Sequence, residues 1–130
     1  MTMSALLPEL AQAAQGLLFI SESEAPLEPF TLPAGTPAET EASFLEAMGH
    51  TGQPVKQVEL PYFFRNMVRP SEDPAEQATA ARYQALQTWL QTNLQDVKVY
   101  RVGQIEIQAY IIGKAPDGTW LGLKTTLIET

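Results

Sequence analysis

Apolar residues recur at helical spacing in three stretches of the chain and change to a period of two in its last third, a pattern that predicts helices first and an antiparallel sheet last. Ala5 to Gln15 is rich in Ala, Leu and Gln, with Ser4 suited to the N-cap, Pro8 in the first turn and Gly16 suited to the position after the helix; it predicts a short first helix. Leu17 to Ile20 is an apolar run that stops abruptly, long enough for a short strand or a tight core segment. The stretch from Pro26 to Pro33 alternates apolar and polar, but Pro26, Pro29 and Pro33 each remove a ladder donor, so it predicts an edge strand or extended loop. Thr36-Pro37-Ala38-Glu39 offers an N-cap, a first-turn proline and a glutamate at the third position, and Gly49 offers a stop. A second helix over about 37–48 follows, with Phe44, Leu45 and Met48 turned inward.

Val55 to Leu60 reads as a strand, and the aromatic cluster Pro61-Tyr62-Phe63-Phe64 after it is apolar enough to send Phe63 or Phe64 into the core. Asp73-Pro74-Ala75-Glu76 repeats the cap, proline and glutamate signature and heads a third helix over about 74–95. Tyr83, Leu86, Leu90 and Leu94 form its inward stripe, with Trp89 at the edge. From Val97 onward the alternation takes over: Val97 to Val102, then about 104–113 and 119–128, with Gly103 as a turn and Ala115-Pro116-Asp117-Gly118 as a hairpin loop. The sheet is built last in this reading, and the whole is one α+β domain, residues 1–130, with helices covering the sheet.

Charge sharpens the picture. Seven acids (Glu9, Glu22, Glu24, Glu28, Glu39, Glu41 and Glu46) and no Lys or Arg precede Lys56, so the formal net charge of −7 is contributed entirely by the first 55 residues. If that stretch folds to one side, the protein has an acidic face. A pI near 4.6 disfavours direct binding of nucleic acid or an anionic membrane and favours a basic partner or a bound cation. The absence of cysteine removes disulfides and thiolate chemistry. No basic leader and no apolar run of membrane-spanning length is visible, so the expected location is the cytoplasm.

Candidate chemistry concentrates where the apolar run ends. Ser21-Glu22-Ser23-Glu24 has nothing to bury, and Pro26 prevents a helix from continuing through it, so it reads as an exposed acidic tip on an apolar anchor. Glu22 and Glu24 suit a carboxylate pair for glycoside hydrolysis, a hard-cation site, or a solvated loop. The lone histidine, His50, follows the end of the second helix, where interaction with the helix dipole is a structural role; no G-x-S-x-G or HExxH pattern accompanies it. Thr130 brings a hydroxyl and an α-carboxylate together beside Glu129, an oxygen-rich end able to ligate a hard cation.

Taken together, several segments resemble the nuclease A inhibitor family, in order from about residue 5 to the end. They are Gly16-Leu17-Leu18-Phe19 with Ser21-Glu22-Ser23-Glu24 and Pro26; Gly49-His50; Phe63-Phe64; Val99-Tyr100-Arg101 with Gly103; Tyr110, Ile112 and Gly113; Pro116 and Gly118; and Glu129-Thr130. The resemblance implies an α/β/α sandwich like that of pathogenesis-related protein 1, with a central, largely antiparallel sheet and a C-terminal β-meander. It also implies inhibition of a sugar-nonspecific DNA/RNA endonuclease carrying a divalent metal in a ββα-metal site, with no catalytic residue and no cofactor in this chain and a monomeric free state. Glu22 and Thr130 match the residues that enter the nuclease site and reach its metal, directly or through water. Ser21, Ser23 and Glu24, with Glu72 and Asp73 of the loop before the third helix, complete the expected partner-binding set. The chain departs from the family in that loop, where Arg69 to Asp73 is shorter and lacks the family's tryptophan. Two other functions remain open at this point: a small acid/base hydrolase using Glu22 and Glu24, and an acidic adaptor for a basic protein.

Overall fold

The computed structural model describes residues 6–33 and 35–129. In chain order the elements are α1 (Leu6–Ala14), β1 (Leu18–Ile20), β2 (Glu24–Pro26), β3 (Glu28–Thr31), α2 (Glu41–Met48), β4 (Val55–Val58), α3 (Leu60–Phe63), α4 (Pro74–Asn93), β5 (Gln95–Val102), β6 (Glu106–Lys114) and β7 (Trp120–Ile128). Strands β1 and β2 form a hairpin, and the other five make an antiparallel sheet in the order β3-β7-β6-β5-β4.

The expected meander from Val97 onward is the centre of this sheet, but the sheet is not built last: β3 and β4, made earlier, pair with its two edges. Proline explains the placement of β3. Pro29 has no N–H to donate, and as an edge strand β3 needs only one bonded side, against β7. At the other end, Asp96 adopts φ 55 and the pairing of β5 with β6 shifts register between Gln95 and Lys98, so β5 enters the sheet through a bulge. Ile105 was expected within the alternation but is exposed in the turn before β6.

Alternation along the central strands sends side chains to two separate cores. Val99, Ile107, Ala109, Ile111, Leu121, Leu123 and Leu127 pack with α1, α3 and α4, including Leu10, Phe63, Phe64, Tyr83, Leu86 and Leu90. Tyr100, Val102, Tyr110, Ile112 and Trp120 face the other way and pack with Phe44 and Leu45 of α2. Because β6 is covered on both faces, its run Ala109 to Gly113 is buried without interruption. Each fully buried Leu, Ile or Phe here contributes about 1.5–3 kcal/mol by leaving water. Both Phe63 and Phe64 are buried, where one was expected.

Helix ends account for most boundary differences. The second helix starts at Glu41, four residues later than Thr36-Pro37-Ala38-Glu39 suggests, because Thr40 and Ser43 satisfy each other's backbone N–H groups in a reciprocal cap. Its far end closes on Gly49 at φ 78, a left-handed conformation that glycine adopts without a Cβ penalty. Leu60, expected in a strand, begins the short α3 instead, since Pro61 at its head favours a helical turn over a ladder. Asp73 caps α4 as expected, its Oδ2 accepting from the N–H of Glu76.

The acids of the first 55 residues do not share one face. Glu9 lies on α1, which packs on one side of the sheet, whereas Glu41 and Glu46 lie on α2 on the other. Leu32 and Ala38, between β3 and α2, already belong to the second core, so the charge is divided.

Candidate partner-binding site

The connection between β1 and β2 is the three-residue tip Ser21-Glu22-Ser23, with Ile20 in register with Glu24. Three-residue hairpin loops need local satisfaction of their backbone, and Ser21 supplies it. Its N–H donates to the carbonyl of Ser23 at 2.8 Å, and its Oγ accepts from the N–H of Ser23 at 3.2 Å. Glu22 and Glu24 stand exposed on either side.

The hairpin is anchored beneath. Phe19 is buried and stacks on Phe63, ring centroids 4.4 Å apart at 18°. The hydroxyl of the buried Tyr83 donates to the carbonyl of Leu18. Burial pushes the Tyr83 phenol up to about 12, against the lowering effect of the neighbouring Arg82 charge, so it is a firm donor at neutral pH. The apolar anchor is nonetheless half-sided: strand alternation buries Leu17 and Phe19 and leaves Leu18 and Ile20 exposed at 43% and 54%.

The tip is docked onto the end of β7. The N–H of Ile128 donates to Ser21 Oγ at 3.1 Å, and the N–H of Glu22 donates to the carbonyl of Ile128 at 3.3 Å. One residue on, the N–H of Glu129 donates to the carbonyl of Ile105 at 2.9 Å. Thr130 lies outside the described residues. Glu22 lines a cleft with Arg65, Arg101, Ile128 and Glu129, whereas Glu24 does not. An ion pair joins Arg101 to Glu129, and the Arg65 guanidinium sits 3.7 Å from the ring centroid of Tyr62.

Of the other expected site residues, Asp73 is engaged as the α4 cap and Glu72 is exposed beside it; neither lines the cleft of Glu22. The loop before α4 does reach the hairpin, for Arg69, Pro70 and Ser71 share a groove with Leu18 and Ile20. His50 sits at the second core, not the first core that anchors the tip: its backbone N–H donates to the carbonyl of Leu45 at 2.8 Å, and its Nε2 lies 2.7 Å from the hydroxyl of Tyr110. Among the described residues, no group of three or more His, Cys, Asp and Glu is placed to hold a metal ion, and no helix is long and apolar enough to cross a membrane.

Arg101 and Arg65 line the cleft but are not among the expected site residues, Arg101 being named only within the family resemblance. For Arg101 a signal existed: it follows Val97 and Val99 at the same strand parity, a cation on the core-facing row. For Arg65 there was none, since its place depends on how α3 packs under β1.

The candidate site is therefore an acidic hairpin tip, hydrogen-bonded to the last strand and sharing a cleft with two arginines. No curated protein matches the chain significantly. The family model described as nuclease A inhibitor-like protein matches residues 4–130, and the chain belongs to that family.

Proposed function

We propose that this chain is a protein inhibitor of a sugar-nonspecific, divalent-metal-dependent endonuclease of the ββα-metal type, and that it blocks the enzyme's groove without performing chemistry. The observation that carries the proposal is the docking of Ser21 and Glu22 onto Ile128, which holds the acidic tip against the end of β7. A groove that holds a polyanion must be electropositive, and a fixed carboxylate competes with phosphate for its cations. In this reading Glu22 reaches the nuclease's metal, directly or through water, and Thr130 adds its hydroxyl, a hard oxygen donor suited to Mg²⁺. Two apolar cores on opposite sheet faces support reading the fold as an α/β/α sandwich of the pathogenesis-related protein 1 type.

The hydrolase alternative needs Glu22 and Glu24 to share a concave pocket, and Glu24 is not part of the cleft that Glu22 lines.

The test is DNA cleavage by a Mg²⁺-dependent, sugar-nonspecific endonuclease in the presence of the chain. Wild type is expected to suppress cleavage, and Glu22→Gln to weaken binding by about 2 kcal/mol or more, as a charged hot spot does, with Glu24→Gln costing less. Residues appended after Thr130 are expected to abolish inhibition while the domain melts normally. Cleavage indifferent to the wild-type chain overturns the reading.

A further inference from the structure

We infer that Arg101 is a positioning residue for the binding tip: it holds Glu129 and so fixes the strand end on which Ser21 and Glu22 are docked. The consequence for binding rests on the inhibitor reading; the positioning itself does not.

Arg101 stands on β5 in register with Ala109 of β6, and Ala109 is in register with Thr125 of β7. Its same-face neighbour Val99 is buried in the first core, so the guanidinium emerges on that face, where the small Ala109 leaves room for it to reach across β6 to Glu129. The Arg101 side chain keeps 15% exposure, and a cation that far removed from water depends on its partner. Glu129, at 53%, is solvated and gives up little to supply that partner.

The backbone N–H of Glu129 is bonded to Ile105, while its carboxylate is bonded to Arg101. Residue 129 is thus held from two directions. The residue before it, Ile128, contributes the N–H and the carbonyl that bind the tip. Contact runs unbroken from Arg101 through Glu129 and Ile128 to Ser21 and Glu22. The arrangement pre-orders the contact surface before encounter, which reduces the conformational entropy lost on binding.

Amide hydrogen exchange of the full-length free protein, without any nuclease, tests the positioning. Arg101→Gln and Glu129→Gln are each expected to speed exchange at the amides of Glu22, Ile128 and Glu129 by about threefold, as for loss of a partly solvated ion pair. The double variant is expected to exchange no faster than either single one, because both substitutions break the same link. Arg101→Lys is expected to recover part of the protection. Exchange unchanged in the single variants, or effects that multiply in the double, overturns the inference; if Arg101→Gln does not fold, Arg101→Lys and the solvated Glu129→Gln decide it in the same way. The dissociation rate from a Mg²⁺-dependent, sugar-nonspecific endonuclease then tests the functional consequence, with about a threefold rise expected for Arg101→Gln. Wild type that inhibits while Arg101→Gln dissociates at the wild-type rate overturns the role of Arg101 in binding. Wild type that never inhibits overturns the inhibitor reading and leaves the exchange result to judge the positioning.

Discussion

Ser21 Oγ accepts the backbone N–H of Ile128 at 3.1 Å, across 107 positions of sequence. The same oxygen accepts from the N–H of Ser23, so one hydroxyl both closes the hairpin tip and binds it to the last strand. Ser21→Ala removes the one acceptor of both bonds. Stability is expected to fall by about 1 kcal/mol per lost bond at most, in urea unfolding, and inhibition to weaken by more than that loss predicts. Inhibition that tracks stability alone contradicts the view that the tip must be held at a set place.

Division of the acids by the sheet makes the electrostatics testable. Glu22 and Glu24 are at the tip, whereas Glu41 and Glu46 ride on α2 beyond the sheet. Neutralising Glu41 and Glu46 together is expected to change the association rate by less than about twofold at physiological salt, where the Debye length is about 8 Å. Glu24→Gln is expected to slow association more than that double change. Raising salt is expected to slow wild-type association and to leave dissociation nearly untouched, as stopped-flow traces will show. Equal sensitivity to the two sets of substitutions points to diffuse net charge instead of a directed tip.

Tyr83 links the hairpin anchor to pH. Its folded-state pKa is raised from 10.0 to about 12 by burial, so the native state holds the phenolic proton more tightly than the unfolded state does. That contribution is complete below pH 10 and is lost as pH rises towards 12. Thermal melts are expected to show a fall in stability across this window that is smaller in Tyr83→Phe. At pH 7 the same substitution is expected to cost about 1 kcal/mol, since the carbonyl of Leu18 loses its donor. An identical alkaline profile in both proteins removes Tyr83 as the cause.

Gly122 sets how closely β6 and β7 approach. A Cβ built there overlaps the backbone carbonyl of Ile111, which cannot swing away as a side-chain end would. Gly122→Ala is expected to destabilise by about 3 kcal/mol or more, beyond the usual cost of an added methyl in a core. Gly118→Ala, with open space around it, is the comparison; its cost comes only from the positive φ of 89. Chemical unfolding of the two variants measures the difference, and equal costs mean that β7 can shift to make room.

Much of this architecture was written locally. The inward stripe of α4, its Asp73 cap, the alternation of β5 to β7 and the edge placement of β3 depend on spacing, capping and proline chemistry, which act over a few residues and so are legible in sequence. The tip was legible for the same reason: four residues with nothing to bury must lie outside, wherever the rest folds. The start of α2 was misplaced because two cap signatures stand four residues apart, and the contacts made by Thr40 and Ser43 won. The family likewise followed from residues in order along the chain, and the match over 4–130 bears it out. Tertiary structure alone decided that β4 closes the sheet beside β5, that the first 55 residues spread their acids over both sides, and that Arg101 meets Glu129 beside the tip. Those facts are set by which strand edge pairs with which and by where the chain crosses the sheet. Such choices depend on the free energy of burying both cores at once, which no local stretch of sequence records.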